Sequence, residues 1–164
     1  MTNQAGALNL RRIDHIAIAV RDLDAAIAFY RDVLGFELRE KRITYGKTTS
    51  MASAVAVSES VVLVLMQGRE PDSQISRYIR AHGAGVQHVA FEVDDLERVG
   101  PVLGSRGLSF ATSVLESKGI GQRFSTRDPV SGMMFEFIQR SGNESFSDDN
   151  VRELFEQIEQ KGLY

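Results

Sequence analysis

The spacing of apolar residues predicts a strand, a helix and three further strands in the first part of the chain. Period-two alternation indicates a strand at residues 12 to about 20. Helical spacing follows from Leu23 to Leu34, where Asp22 can cap the start of the helix and Gly35 can end it. The three strands are then predicted at Phe36–Ile43, Thr48–Val57 and Val61–Met66.

The same order of elements is predicted a second time. A strand at Val86–Val93 precedes Asp95, a candidate cap for a helix around Leu96, Val99 and Leu103. Pro101 is expected to kink or restart that helix, and Gly107 to end it. Three strands follow near Leu108–Val114, Gln122–Thr126 and Met133–Gln139, the last two joined by a turn at 128–132.

We therefore expect an α+β fold in which two tandem βαβββ modules pair edge to edge. Such halves form a half-open barrel around a cleft. The chain divides into module one (12–67), a linker (68–85), module two (86–140) and a C-terminal tail (141–164), which together form a single domain. The linker holds a predicted short helix at Ser73–Ala81. The tail holds a helix at Asp149–Gln160, capped by Asp148 or Asp149, whose apolar face is expected to cover the cleft as a lid.

A short motif with one histidine is repeated in the two modules. His15-Ile-Ala-Ile-Ala-Val-Arg-Asp-Leu23 reappears as His88-Val-Ala-Phe-Glu-Val-Asp-Asp-Leu96, 73 residues later. The chain has three histidines, and two occupy the same position of this repeat. In the first copy His15 shares a strand face with Ile13, Ala17 and Ala19. Equivalent histidines predict ligands that meet at one shared centre; the alternative is that each packs in its own core.

Composition excludes several classes of protein. With 164 residues, 43% of them hydrophobic, the chain suffices for one domain with a real core. A net charge of −3 makes nucleic acid or an acidic membrane an unexpected partner. No apolar run is long enough to cross a bilayer. Without cysteine or a signal-like start, a cytoplasmic location is the default expectation.

Several motifs make the chain resemble the vicinal-oxygen-chelate superfamily. They are the repeated histidine strand, the segment Phe29–Phe36 and the late strand Phe135-Glu136-Phe137. A narrower resemblance, to the catalytic half of 4-hydroxyphenylpyruvate dioxygenase and hydroxymandelate synthase, rests on Gly85–Ala90, Glu136–Arg140 and the tail from Phe146 to Glu159. The superfamily resemblance implies a divalent metal in the cleft. It also makes a homodimer an expectation, because single-barrel members commonly dimerise.

Carried over by position, the metal ligands of the family fall on His15, His88 and Glu136. Two imidazoles and one carboxylate are also the ligand set typical of non-haem Fe(II), so Fe(II) is the expected metal, with manganese, cobalt or zinc as alternatives. Glu136 lies in an apolar stretch, where a carboxylate needs a cation or a proton. The alternative is an arginine partner or a solvent-facing strand edge.

Pocket residues follow from the narrower resemblance. It places Gln122 and Phe124 near the metal, Ser53 and Gln67 at polar pocket positions, and Phe146 and Asn150 in the closing tail. Strand Val61–Met66 has no side chain able to bind metal, whereas glyoxalase and methylmalonyl-CoA epimerase types take a fourth ligand from that strand.

The sequence leaves three functions open. The leading one is an Fe(II)-dependent dioxygenase that uses dioxygen and a small 2-oxo acid or similar chelating substrate. The second is a metal-dependent isomerase or lyase of the methylmalonyl-CoA epimerase or glyoxalase type, which the linker also fits. The third is a small-molecule-binding resistance protein, against which three retained ligands argue.

Overall fold

Eight strands form one curled sheet that makes a half-barrel. The structure, a computed structural model, describes residues 8–117, 119–142 and 147–162. The strands are β1 Leu10–Ala19, β2 Glu37–Tyr45, β3 Ser50–Ser58, β4 Val61–Gly68, β5 Gly85–Val93, β6 Leu115–Ser117, β7 Ile120–Phe124 and β8 Met134–Arg140. The helices are α1 Leu23–Ala28, α2 Gln74–His82, α3 Val99–Gly104 and α4 Asp148–Lys161. This α+β half-barrel with a C-terminal helix is the predicted architecture.

The strand order shows the internal symmetry directly. Across the sheet it is β2-β3-β4-β1-β5-β8-β7-β6. In each half the first strand pairs in parallel with the last, β1 with β4 and β5 with β8. The central pair, β1 and β5, is antiparallel, with His15 opposite Ala90 and His88 opposite Ala17. The two histidines are therefore equivalent, as the repeat predicted.

The first helix begins where the sequence indicated. Asp22 accepts a hydrogen bond from the backbone N–H of Ala25 at 3.0 Å, which caps α1. After Ala28 the helix widens into one π-helical turn, Phe29–Val33. The chain then leaves the helix at Gly35, whose φ of 77° is a left-handed conformation that glycine adopts without strain.

The helix of module two, α3, is shorter than predicted. α3 begins at Val99, so Leu96 and Asp95 precede it, but the carboxylate of Asp95 accepts the backbone N–H of Arg98 at 3.4 Å. Pro101 has no N–H to donate to the carbonyl of Glu97, and regular helical bonding starts with the Val102 N–H to the Arg98 carbonyl, at 3.0 Å. Pro101 therefore sets where this helix starts.

The strand predicted at Leu108–Val114 is wrong. That segment contributes one isolated bridge, between Phe110 and Ser125, and regular pairing begins at Leu115. The hydroxyl of Thr112 accepts a hydrogen bond from the backbone N–H of Phe124 at 3.0 Å. In a regular strand a backbone carbonyl would accept that N–H instead. A side chain thus competes with the ladder and interrupts it.

Period-two alternation also fails at the start of β1. Ile13 is 50% exposed, although period-two alternation predicts that it shares a face with His15, which is buried. The pairing of β1 with β5 has an irregularity between these two residues, which turns Ile13 outward. The alternation holds from His15 onward, where Ala17 and Ala19 are fully buried.

The inner face of the half-barrel is covered by α2 and α4. Ser73 caps α2, and α4 begins one residue earlier than predicted, so Asp148 and Asp149 both lie in its first turn. One buried cluster joins the two helices to the sheet; its members include Ala17, Met66, Ile75, Tyr78 and Phe155. None of the helices in the described ranges is both long and apolar enough to cross a membrane.

Candidate metal centre

Three buried side chains converge at the centre of the inner face. His15 comes from β1, His88 from β5 and Glu136 from β8, and all three are at most 7% exposed. One carboxylate oxygen of Glu136 lies 3.1 Å from Nε2 of His15 and 3.4 Å from Nε2 of His88. Each residue offers one ligand atom, and these atoms lie within 4.8 Å of one another. The three residues that the sequence singled out do meet.

The charge state of the cluster follows from its burial and its contacts. Burial opposes protonation of His15, but the charge of Glu136 and the hydrogen bond to Asp14 outweigh it and raise the pKa of His15 to about 9. Burial also opposes ionisation of Glu136, yet the charge and hydrogen bond of His15 hold the Glu136 pKa at about 2. For His88 burial prevails and lowers the pKa. Without an ion, a proton on His15 balances the carboxylate.

The two histidines are oriented by different partners. Nδ1 of His15 lies 2.8 Å from a carboxylate oxygen of Asp14. Nδ1 of His88 hydrogen bonds the side-chain carbonyl of Gln87 instead. In both cases the bond leaves Nε2 directed at the centre, which is how histidine ligands are usually held. The residue before each histidine thus orients the imidazole ring, with a charged group in one module and a neutral group in the other.

The geometry fits a metal ion. Ligand atoms at right angles on an ion, each at about 2.1 Å, are about 3 Å apart, which is close to the observed separations. The second oxygen of Glu136, Oε1, is buried and has no hydrogen-bond partner among the described residues. Such an atom is costly to bury unless something binds it. The donor set of two imidazoles and one carboxylate is the one that Fe(II) sites of non-haem oxygenases use.

The strand registers identify the position of a fourth ligand. Ala90 pairs with Glu136 across β5 and β8. By the symmetry of the modules the equivalent pair is Ala17 and Val64, across β1 and β4. Val64 therefore occupies the place of Glu136 in module one, and its side chain lines the cleft. A valine cannot bind a metal, so the described residues offer three candidate ligands at the centre.

The cleft in front of the centre is mostly apolar. Of the predicted pocket residues, Ser53, Gln122 and Phe124 line it together with the three candidate ligands. The ring of Phe124 lies edge-on to His88, with centroids 5.0 Å apart. The remaining apolar lining comprises Met51, Val55, Val64, Met66, Val151 and Leu154. The last two belong to α4, which therefore covers the cleft with the face that the sequence predicted.

Gln67 is not part of this cleft, contrary to the prediction. Its side-chain oxygen accepts the backbone N–H of Leu23 at 2.7 Å. Gln139, at the equivalent end of β8, accepts the N–H of Leu96 at 2.8 Å. The two glutamines thus tie the start of each helical segment to the last strand of its module. This second internal repeat, absent from the sequence analysis, explains Gln67 structurally.

Two predicted tail positions remain predictions. Phe146 lies outside the described residues, and Asn150 lies within α4 without a described side chain.

Sequence reasoning missed Asp14, Arg140 and a charged pair in the cleft, Glu40 and Arg42. Asp14 precedes a ligand and Arg140 follows Glu136 on the same strand, so their proximity to the candidate ligands was the available signal.

The fold and the three converging side chains define a class: proteins built from paired βαβββ modules with a candidate metal site in the cleft. The chain belongs to the glyoxalase/bleomycin resistance protein/dioxygenase superfamily, whose family model matches residues 12–137.

The chain is similar to proteins of different named activities. The chain is 27% identical to 4-hydroxyphenylpyruvate dioxygenase of Pseudomonas aeruginosa, over 94% of this chain and 53% of that protein. It is 34% identical to human mitochondrial methylmalonyl-CoA epimerase, over 54% of this chain and 49% of that protein. A variant of 4-hydroxymandelate synthase from Streptomyces coelicolor has a similar fold, with a TM-score of 0.81 at 24% identity, covering 91% of this chain and 53% of that one. The chain thus spans about half the length of these relatives.

Proposed function

We propose that the protein is an Fe(II)-dependent dioxygenase acting on a small 2-oxo acid, with His15, His88 and Glu136 as the iron ligands. The observation that carries the proposal is Val64 in the position equivalent to Glu136. Three protein ligands leave adjacent coordination positions for a chelating substrate and dioxygen. When bound, Fe(II) would supply the site at which both meet.

The residues of the chain would prepare that site. Asp14 and Gln87 hold the two imidazoles with Nε2 directed inward. Apolar side chains of β3, β4 and α4 exclude water from the space in front of the ligands. Ser53 and Gln122 provide neutral polar groups in that space, suited to orienting the substrate.

An isomerase or lyase of the epimerase type is the second candidate, supported by the similarity to human methylmalonyl-CoA epimerase. Such a reaction needs a base to move a proton next to the metal. Among the described cleft-lining residues the carboxylates are Glu136, which belongs to the ligand set, and Glu40, which is in contact with Arg42. Neither carboxylate is a free base beside the position that the metal ion would occupy. This favours the dioxygenase.

The two functions differ in what they consume. Protein loaded with Fe(II) under nitrogen should, on admission of air, take up dioxygen in step with loss of a 2-oxo acid and without added 2-oxoglutarate as co-substrate. Glu136→Ala should bind little metal and show no uptake, whereas Glu97→Ala, an exposed control, should match the wild type. Exchange of a substrate proton for deuterium under nitrogen, with no oxygen uptake across a panel of 2-oxo acids, would establish the isomerase instead.

A further inference from the structure

The guanidinium of Arg42 lines the mostly apolar cleft. β2 is the edge strand on one side of the half-barrel, and its residues Glu40 and Arg42 point to the inner face while Arg39 and Lys41 point outward. Arg42 is only 14% exposed and lines the same cleft as the candidate ligands. None of the steps described above uses this guanidinium.

Two carboxylates contact Arg42, and they differ in how exposed they are. Glu40, on the same strand, contacts the guanidinium and is 32% exposed. Asp148, in the first turn of α4, lies 3.3 Å from the other nitrogen of Arg42 and is 91% exposed. An ion pair to a side chain so exposed contributes little, because water competes for both groups. Asp148 can therefore be exchanged for another carboxylate at low cost.

We propose that Arg42 binds a second carboxylate at the far end of the substrate, which makes the substrate a 2-oxo diacid with an apolar middle. This rests on the proposed function, since the 2-oxo acid end must chelate the metal. Met51, Val55 and Val64 lie in the cleft with both the centre and Arg42, so the body of the ligand meets apolar side chains. The guanidinium offers a fork of donors that suits a carboxylate, and the distal carboxylate takes the place of Asp148.

The test compares acids that differ only at the distal end. Protein loaded with Mn(II) under nitrogen is titrated calorimetrically with 2-oxoglutarate, 2-oxoadipate and 2-oxopimelate. Each is compared with the monoacid of the same chain length: 2-oxopentanoate, 2-oxohexanoate and 2-oxoheptanoate. At least one diacid should bind about tenfold or more tightly than its monoacid, as expected for a charge-assisted hydrogen bond in a dry site.

Variants assign that preference to Arg42. Arg42→Met should abolish the preference for diacids over monoacids, and Arg42→Lys should restore part of it. Arg39→Met is the matched control, because Arg39 is on the same strand, 59% exposed, and pairs with Glu37 outside the cleft. Asp148→Asn should tighten diacid binding by about two- to fivefold without affecting the monoacids, since it removes a weak competitor. A merely structural pair would instead loosen α4 and weaken both.

Equal binding of monoacids and diacids by the wild type would overturn this inference while leaving the proposed function standing. So would an undiminished diacid preference in Arg42→Met; if that variant does not fold, a weakened diacid affinity in Asp148→Asn decides against it. If no 2-oxo acid binds the metal-loaded protein at all, chelation fails, and the proposed function falls together with the inference.

Discussion

Arg140 donates two hydrogen bonds to Asp14, at 2.7 and 2.9 Å, and so joins β8 and β1, the strands of two candidate metal ligands. Asp14 is 6% exposed and also accepts from His15 at 2.8 Å. Burial would raise the pKa of Asp14, but Arg140 and His15 outweigh it and hold that pKa well below its usual range. The aspartate therefore stays ionised and fixes the orientation of the His15 ring.

Removing this support should weaken metal binding without removing a ligand. We expect Asp14→Asn and Arg140→Met to lower the affinity for a divalent ion by about 10- to 100-fold, the usual cost of losing a partner of a metal-bound histidine. The measurement is competition with a chelating indicator for Mn(II) or Co(II). Arg12→Met is the control, because Arg12 pairs with Glu92 at the exposed end of the same strand. Equal affinity in all variants would mean that the pair serves stability alone.

Metal binding should release a proton from His15. Its pKa in the metal-free protein is raised to about 9, so the ring is charged at neutral pH, whereas the pKa of His88 is lowered and its ring is neutral. An incoming ion must displace that proton. The apparent affinity for the metal should therefore rise by about tenfold per pH unit between pH 6 and 8. It should become independent of pH above the raised pKa of His15.

Calorimetry in buffers of different ionisation enthalpy counts the protons. About one proton per ion is expected near pH 7. Release of none, with affinity independent of pH over that range, would show that His15 is neutral before the metal arrives. His15→Ala should bind weakly and lose the pH dependence that the wild type shows in this range.

The sequence predicts those parts of the candidate site whose surrounding residues recur in both modules. The equivalence of His15 and His88 was visible because the whole strand recurs, and it led directly to the centre. The equivalence of Gln67 and Gln139 was hidden, because their strands share little else and the bond each makes is to a helix start far along the chain. The strand predicted at Leu108–Val114 was wrong because the spacing of apolar residues carries no information on side-chain hydrogen bonds. Here the hydroxyl of Thr112 accepts a backbone N–H that would otherwise pair two strands.

The carboxylate of Glu159 joins the far end of α4 to the turn between β2 and β3. Glu159 accepts the backbone N–H of Lys47 at 3.1 Å and of Thr49 at 2.9 Å, and the hydroxyl of Thr48 at 2.8 Å. Burial opposes ionisation of Glu159, but these hydrogen bonds prevail and lower its pKa. Its contribution to holding α4 is thus present above the usual carboxylate pKa and lost as pH falls through the lowered value.

Glu159→Ala should loosen α4 from the β2–β3 hairpin. We expect amide exchange within residues 148–161 to accelerate by about tenfold, corresponding to the loss of hydrogen bonds to a charged group. Gly46→Ala should act in the same direction, since a Cβ there would lie 2.7 Å from the ring of Phe155. Glu153→Ala is the matched control on the exposed side of the same helix. Identical exchange in the Glu159 and Glu153 variants would place the anchoring of α4 elsewhere.

Among the described residues three candidate ligands meet at the centre, and a fourth can be introduced at a single position. Val64 stands where the symmetry of the registers places Glu136, so Val64→Glu should put a second carboxylate at the metal. We expect this variant to bind Mn(II) about tenfold or more tightly, because carboxylate oxygen suits that ion. It should also bind 2-oxo acids more weakly and lose oxygen uptake, because one open position is filled. Val64→Leu, which changes volume without adding a donor, should keep the metal affinity of the wild type. If both variants bind metal equally, the side chain at this position does not reach the ion.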